Sequence, residues 1–337
     1  MLRFFSKILI IGFALVSFMV NGQDIHYTQM YSTPLYVNPA FTGNHECDFR
    51  AGVNYRQQAA NYTIPFETYS AWGDTRIQPG FLGRRSWIGL GGNLYYDNAG
   101  DGALKKIQGM FLTSFSQGFN SDNSLYGSLG VGIGVTNRSI DATKLIFGDQ
   151  WNDGDLDFTD GTAESLDASS IFYLDFNFGL SVHHLVNDKW LYEIGVSGSH
   201  INQPVESFYG EKNKVGMKLI VSATVQHLLT KRILLKPEAY FVAQQGVQET
   251  IVGGNLVFGL TGVKLIGGLW TRIARDIMPT IGMEYDTFVM TFSYDINVSQ
   301  QRIASEYQGG FEFSLIKRFC YSTRTSTKSE PCKFLEF

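Results

Sequence analysis

The sequence predicts an all-β protein, a transmembrane antiparallel β-barrel of about 14 strands, and its composition is the first reason. Charged residues make up only 17% of the chain, whereas a soluble domain averages about 25%. Glycine accounts for 36 of the 337 residues and aromatic residues for 14%. Beyond the N-terminus, no stretch approaches the roughly 18 apolar residues that a membrane-spanning helix needs. A membrane protein of this composition is expected to cross the bilayer with strands.

The chain begins with the pattern of a secretory signal peptide. Arg3 and Lys7 supply positive charge ahead of the apolar run at 8–20, and that run is too short to span a membrane comfortably as an anchor. Small or compact residues precede a cleavage site after Gly22, which would leave Gln23 as the mature N-terminus. We therefore expect residues 1–22 to be removed during export.

Strict alternation identifies the strands. Residues 125–136 read LYGSLGVGIGVT, with larger apolar side chains such as Leu129 and Val131 alternating with small or polar ones such as Ser128 and Gly130. A period of two indicates a strand. The run is longer than the five or six residues of an average soluble strand, and it suits a tilted membrane strand of about 9–11 residues.

The same pattern recurs along the chain and predicts an even number of strands, as single-chain bacterial barrels prefer. The predicted strands are 49–58, 64–76, 86–97, 105–118, 123–137, 170–185, 189–200, 213–227, 231–244, 249–261, 263–272, 277–285, 287–297 and 306–319. A soluble β-sandwich also alternates, but it does not need so many strands of this length.

The connections between these strands predict the topology. If both ends of the barrel domain are periplasmic, the longer connections at 98–104, 138–169, 201–212 and 298–305 all face outside. The remaining connections are mostly short turns, with 77–85 as the exception. Long outer loops and short periplasmic turns are typical of outer-membrane barrels. We therefore expect an outer-membrane protein with both termini in the periplasm.

Four segments result from this division of the chain. The signal peptide at 1–22 is followed by a periplasmic or plug segment at 23–48, the barrel at 49–319 and a periplasmic tail at 320–337. The net charge of −4 and pI near 5.9 argue against nucleic acid as a partner. Outer-membrane lipids are the expected surroundings.

Several motifs of the mature chain match one known family in order and spacing. They are Gln29, Pro34, Asn38-Pro39-Ala40-Phe41-Thr42-Gly43, Arg50, Tyr55-Arg56, and the segments 96–102 (YDNAGDG), 147–150 (FGDQ), 200–204 (HINQP), 293–299 (SYDINVS) and 309–312 (GGFE). The chain thereby resembles the PorP/SprF family of type IX secretion system outer-membrane proteins. The tail after Phe319 departs from the family, whose members usually stop near the last strand.

The resemblance implies a non-enzymatic component of type IX secretion and gliding motility in Bacteroidetes. Members of the family are needed to export a giant surface adhesin with a C-terminal targeting domain, or they join periplasmic ring or peptidoglycan-anchoring components. The implied partners are therefore type IX secretion components and the C-terminal domain of a secreted adhesin. We expect a monomeric barrel within a larger complex. A passive porin or small-solute transporter is the alternative function.

The connection 138–169 is acidic and is a candidate docking loop for a cationic partner. Its acidic residues include Asp149, Asp153, Asp155, Asp157, Asp160 and Glu164. Four of them match positions 1, 3, 5 and 12 of an EF-hand calcium loop, but Phe158 stands where that loop requires glycine. A solvated acidic loop and loose calcium binding by clustered carboxylates are the other interpretations.

No catalytic site is predicted. His183, His184 and His200 lie near Ser181 and Ser197 in sequence, but nothing fixes a nucleophile, an orienting partner or an oxyanion hole. We expect no cofactor. The predicted lumen-facing charges have both signs and can pair with one another or line a pore. They are Asp175, Glu193, Lys218, Lys264, Arg272, Glu284 and Asp295.

Three cysteines leave the disulfide pairing open. Cys320 and Cys332 enclose a short loop in the tail, in a compartment where disulfides persist, and they form the first candidate pair. Cys47 lies just before the first strand and would instead join either tail cysteine, pinning the N-terminal segment to the last strand. Three free thiols are the remaining alternative.

Overall fold

The structure is a computed structural model. It describes residues 24–321, apart from 25–26, 46, 60–63, 101, 146, 148–149, 153–154, 157–167, 211–212 and 304. The signal peptide, the predicted cleavage residues Gly22 and Gln23, and the tail from residue 322 therefore lie outside the described residues. Among the residues that are described, no helix has the length and apolar character needed to cross a membrane.

Fourteen strands of the described chain form one closed antiparallel barrel, which confirms the predicted fold class. Each strand pairs with its neighbours along the chain, and the first pairs with the last. The barrel strands are β1 (Phe49–Gln58), β2 (Phe66–Ile77), β3 (Ser86–Ala99), β4 (Leu104–Gly118), β5 (Leu125–Ser139), β8 (Ser170–Asn187), β9 (Trp190–Ser199), β10 (Lys218–Thr230), β11 (Ile233–Gln244), β12 (Val247–Gly259), β13 (Val263–Arg272), β14 (Asp276–Tyr285), β15 (Phe288–Asn297) and β16 (Gln308–Phe319).

Outside the barrel wall, the regular elements are short. Strands β6 (Trp151–Asn152) and β7 (Asp155–Leu156) pair with each other in the long connection between β5 and β8. The helix α1 spans Pro34–Val37. The 3-10 turns are Met30–Ser32, Pro39–Phe41, Gly80–Leu82, Ala142–Lys144 and Gln300–Arg302.

Burial follows the alternation that predicted the strands. On β5, Leu129, Val131 and Val135 are 45%, 44% and 51% exposed, whereas Ser128 and Thr136 are 4% and 0% exposed. The apolar side chains therefore face outward and the small polar ones face the lumen, the reverse of a soluble barrel. An apolar outer face and a polar interior are what a barrel in a bilayer requires.

Aromatic side chains cluster on the outer face towards both ends of the barrel. The Tyr55 ring lies 4.8 Å from that of Tyr69 and 5.7 Å from that of Phe311. Towards the other end of the same seam, the Phe49 and Phe319 rings are 5.6 Å apart. Such bands mark the two membrane interfaces in transmembrane barrels.

The two ends of the barrel differ in their connections. The end that carries the connections 140–169 and 200–217 is here called the long-loop end, and the end where β1 starts and β16 finishes is called the short-turn end. Turns such as 231–232 and 286–287 lie at the short-turn end. This asymmetry matches the predicted arrangement of connections.

The structure corrects the first candidate disulfide. Cys320 is bonded to Cys47, with their Cα atoms 4.4 Å apart, and not to Cys332, which lies outside the described residues. The register explains the pairing, because Phe49 stands opposite Phe319 in the β1–β16 ladder. The residues just before β1 and just after β16 are therefore brought together where the barrel closes.

Candidate functional site

The chain that precedes β1 runs through the barrel lumen and forms a plug, defined here as residues 27–45. Apart from Pro34, Tyr36 and Asn44, every residue of the plug is buried. The plug hydrogen-bonds to strands β1–β4, β8, β9, β15 and β16, and it stacks on β13 through Tyr31. Its start lies towards the long-loop end and its last residues lie at the short-turn end. The lumen of this barrel is therefore filled by the chain's own N-terminal segment.

The Asn-Pro-Ala motif anchors the middle of the plug. The Asn38 side chain accepts a hydrogen bond from the Ala40 backbone at 2.8 Å, which caps the following 3-10 turn, and Pro39 suits the first position of that turn. Its amide nitrogen donates to the backbone carbonyls of Leu180 and Val196, at 3.0 and 3.4 Å. One side chain thus both shapes the turn and holds it against β8 and β9.

Inward-facing glycines in the wall make room for this motif. A Cβ atom at Gly130 would lie 2.3 Å from the Ala40 nitrogen, and one at Gly179 would lie within 2 Å of the Asn38 side chain. At Gly89, a Cβ would lie 2.1 Å from the Thr42 carbonyl oxygen. The plug therefore approaches the wall at these positions as closely as glycine allows, with its backbone at Gly130 and Gly89 and with the Asn38 side chain at Gly179.

A buried ionic cluster fixes the plug at the short-turn end. Arg50 donates to both carboxylate oxygens of Asp74, at 2.9 and 3.1 Å, and also to the Phe41 carbonyl. Asp74 accepts from the Gly43 backbone nitrogen at 2.7 Å. Gly43 has a φ of +67°, a left-handed conformation that favours glycine. Burial, followed by the charge of Arg50, lowers the pKa of His45, which packs against Asp74, from 6.5 to about 4.

A second cluster holds the start of the plug in the half of the last two strands nearer the long-loop end. The Thr28 backbone nitrogen donates to Glu312 at 2.7 Å, and its hydroxyl donates to Asp295 at 2.9 Å. Arg56 lies 3.0 Å from Asp295 and completes the cluster from β1. Gln29 donates to the Ser293 hydroxyl at 3.0 Å. Strands β1, β15 and β16 are thereby joined to the plug at the seam where the barrel closes.

A third cluster surrounds Asp24 near the long-loop end. Its carboxylate lies 2.7 Å from Lys106 Nζ, 2.9 Å from Lys218 Nζ and 3.2 Å from His200 Nε2. Burial alone would raise the pKa of Asp24, but Lys106 and Lys218 hold it well below its usual value. Burial opposes protonation of His200, yet hydrogen bonds to Asp175 and Asp24 raise the pKa of this histidine.

A cavity of about 530 Å³ lies above the plug at the long-loop end and is here called the mouth cavity. Its basic lining residues are Arg56, Lys106, Arg138, Lys214, Arg272 and Arg275. Its acidic lining residues are Asp24, Asp97, Glu206 and Glu249. A polar cup of this size suits a polar ligand or peptide segment better than a hydrocarbon.

The predicted lumen-facing charges pair with one another or with the plug. Lys264 lies 3.1 Å from Glu284, Arg272 lies 2.8 Å from Glu249 and Asp175 lies 2.8 Å from His200. Lys218 pairs with Asp24, Asp295 with Arg56, and Glu193 with His183 at 3.4 Å. The sequence left open whether these residues pair with one another or line a pore. In the structure they form ion pairs around the plug.

The acidic docking loop and the histidines are the remaining candidate residues. Asp155 lies in β7, while Asp149, Asp153, Asp157, Asp160 and Glu164 lie outside the described residues, so the docking loop stays a prediction. His183 stacks on Tyr126 with ring centroids 4.5 Å apart. In the described part of the chain, no group of three or more His, Cys, Asp or Glu side chains is placed to hold a metal ion.

The sequence does not predict the Asp24 and Asp74 clusters. Arg50, Gln29 and Asn38 belong to the family motifs, but nothing local showed that they meet inside the lumen. Two sequence features point towards such clusters. They are the polar residues on the inward faces of the predicted strands and the polar, proline-containing segment ahead of the first strand.

Fold and site together define an outer-membrane β-barrel whose lumen is filled by its N-terminal segment. The family model described as type IX secretion system membrane protein PorP/SprF matches residues 19–316. The chain belongs to the PorP/SprF family, as its motifs indicated. No curated protein sequence matches the chain significantly.

Solved outer-membrane barrels share the fold at low sequence identity. The toluene transporter TbuX of Ralstonia pickettii is 10% identical with a TM-score of 0.52, and the match covers 86% of this chain and 94% of that one. A FadL homologue of Pseudomonas aeruginosa is 11% identical with a TM-score of 0.52 and the same coverage. At this level of identity the likeness concerns the barrel alone.

Proposed function

We propose that the protein is a non-enzymatic outer-membrane component of type IX secretion and gliding motility. In this role it recognises or anchors the C-terminal domain of a secreted surface adhesin, or a translocon or periplasmic ring partner. The signal peptide is removed after Gly22, the short-turn end faces the periplasm and the long-loop end faces outside. Family membership supports the secretion role.

The filled lumen is the observation that carries this proposal. Buried clusters hold both ends of the plug and Asp24 just before it, and the Cys47–Cys320 disulfide ties the chain just after the plug to the end of the final strand. Because the plug fills the lumen, the surfaces that this barrel offers to partners are its rims and loops. Binding at the rims is also compatible with a monomeric barrel in a larger complex.

Planar-bilayer conductance separates this proposal from a passive porin or small-solute transporter. We expect the purified wild-type barrel to give no steady open-channel current, because the plug occupies the lumen. A deletion of residues 24–45 should give open channels and serves as the positive control for insertion. A steady current through the wild-type barrel without any partner would favour the porin.

Affinity purification from native membranes tests the partners. The tagged barrel should retain type IX secretion components and the adhesin, identified by mass spectrometry, whereas an unrelated tagged outer-membrane barrel of the same cells should not. A strain that lacks the gene should lose the adhesin from the cell surface. Reintroducing the wild-type gene should restore the adhesin there. Surface adhesin at wild-type level in the deletion strain would contradict the proposal.

A further inference from the structure

Asp24 is held by three basic side chains that come from separate parts of the wall. Lys106 is on β4, Lys218 is on β10, and His200 follows β9. The side chains of Lys106, Lys218 and His200 are 14%, 11% and 2% exposed, and that of Asp24 is 10% exposed. The wall thus provides a preformed pocket for one carboxylate, and the chain's own N-terminal segment supplies it.

The charges of this pocket require an anion. Asp175 lies 2.8 Å from His200 Nδ1 and balances the imidazole side of the cluster. Lys106 and Lys218 both direct their ammonium groups at Asp24. If Asp24 moved away and nothing replaced it, two largely buried ammonium groups would lose their shared counter-ion, which is costly. Exchange for another carboxylate avoids that cost.

The pocket is open to a ligand from the long-loop end. Asp24 and Lys106 both line the mouth cavity of about 530 Å³, which lies in the size range of ligand sites. Lys214 lies at its rim and is exposed, so it adds positive charge along the approach, whereas Arg275 is paired with Glu249 at 3.0 Å. A side-chain or terminal carboxylate on an extended peptide segment can enter there and meet Lys106. It meets Lys218 and His200, which line a separate small cavity beside Asp24, once Asp24 has left.

We propose that Lys106, Lys218 and His200 form a binding site for a carboxylate of an exported polypeptide, which the chain's own Asp24 occupies until the partner displaces it. The identity of the occupant as an exported polypeptide rests on the proposed function. The plug beyond Gln29 stays seated, because its clusters with Glu312 and Asp74 do not involve Asp24. Partner binding is thereby coupled to release of Asp24, which precedes the plug.

Peptide binding to the purified barrel in detergent tests this site. The probe is a fluorescein-labelled acidic hexapeptide, Gly-Asp-Gly-Glu-Gly-Asp, measured by fluorescence anisotropy at low salt. Asp24→Asn removes the internal competitor and should bind the probe at least tenfold more tightly than the wild type. Asp286→Asn, an exposed change in a turn at the short-turn end where φ is +55°, is the matched control and should bind as the wild type does.

Two further measurements assign the effect to the basic pocket. The same peptide with Asn and Gln in place of its acids should bind no variant measurably. The double variant Asp24→Asn with Lys218→Gln should lose the gained affinity, while its heat-modifiable gel band shows that the barrel is folded. An Asp24→Asn protein that binds no more tightly than the wild type would overturn the proposal, and so would an equal gain for the neutral peptide.

The outcome is separable from that of the proposed function. If the site is wrong but the function is right, Asp24→Asn leaves peptide binding unchanged while adhesin display still depends on the barrel. If the function is wrong, the deletion strain displays the adhesin normally, whatever the peptide result.

Discussion

At position 130, a single added carbon has no space. The Cβ of an alanine would lie 2.3 Å from backbone atoms of Pro39 and Ala40, and backbone cannot move aside as a flexible side chain can. We expect Gly130→Ala to displace the plug and to lower the free energy of unfolding by about 1–3 kcal/mol, the usual cost of overpacking. The conductance in a planar bilayer should rise. The temperature at which the gel band shifts from the folded to the unfolded position should fall.

Gly267→Ala is the matched control for this substitution. Gly267 also lies within a barrel strand, but a Cβ there would meet no heavy atom within 4 Å. We expect wild-type conductance and an unchanged transition temperature for this variant. Equal behaviour of the two variants would contradict the assigned close contact between the plug and the wall.

His45 predicts a pH dependence of stability. Its folded-state pKa is lowered to about 4, first by burial and then by Arg50, whereas in the unfolded chain it is near 6.5. Between these values the unfolded chain binds more protons, so this contribution is present above pH 6.5 and is lost as pH falls towards 4. The full contribution of His45 to the free energy of unfolding is about 3 kcal/mol. Urea unfolding of the liposome-inserted barrel, followed by tryptophan fluorescence from pH 7.5 to 4, measures it.

The variant His45→Gln isolates this contribution from other titrating groups. It should show a shallower loss of stability between pH 6.5 and 4 than the wild type. His200 acts in the opposite direction, because its pKa is raised, so its contribution is present below pH 6.5 and is lost as pH rises. Parallel pH profiles for the wild type and His45→Gln would show that His45 is not buried in a neutral form.

At the scale of elements, the disulfide and the plug belong together. Cys47→Ser should remove the covalent link between the chain just after the plug and the end of β16, and it should lower the stability of the barrel by about 2–4 kcal/mol, the typical contribution of a disulfide. Non-reducing peptide mapping of the wild type should yield a linked Cys47–Cys320 peptide. Cys332→Ser is the control and should leave both results unchanged. A linked Cys320–Cys332 peptide would contradict this pairing.

The strands were predictable because their signal is local. The alternation of outward apolar and inward polar residues is a property of each segment, and the predicted bounds of β1 and β13 agree with the structure. The alternation predicts that β10 starts at 213, but the strand begins at Lys218. The preceding residues belong to the loop instead, because Lys214 forms an isolated bridge with Val205.

The interior of the plug was not predictable for the opposite reason. Its turns are only three or four residues long, so no periodicity develops. Its partners are distant in sequence, since Thr28 and Glu312 are separated by 284 positions. A single sequence contains no signal that connects such positions, although it does show that the lumen-facing charges are mixed.

For the whole molecule, closure of the barrel predicts heat-modifiable migration. A closed barrel satisfies its backbone hydrogen bonds internally and has no free edge, so it should resist unheated SDS. We expect the unheated protein to migrate faster than the boiled protein. Identical migration together with a helical circular dichroism spectrum would contradict the barrel.

Protease treatment of whole cells tests the orientation of the molecule. If the long-loop end faces outside, cleavage should fall within 138–169, while short turns such as 231–232 should be spared. Cleavage of the short turns in intact cells would reverse the orientation. If the acidic residues of the long connection hold calcium, a chelator should increase the cleavage, and an unchanged rate would favour a solvated loop.

The seam between the first and last strands also changes the covalent shape of the polypeptide. Because Cys47 is bonded to Cys320, the chain between them is a macrocycle, and the residues before Cys47 thread through it like the tail of a lasso. Boiling in SDS without a reductant opens the barrel but leaves this macrocycle intact, and a cyclic chain has a smaller hydrodynamic radius than a linear one. One gel can therefore distinguish three topological species: the folded barrel, the unfolded macrocycle and the linear chain.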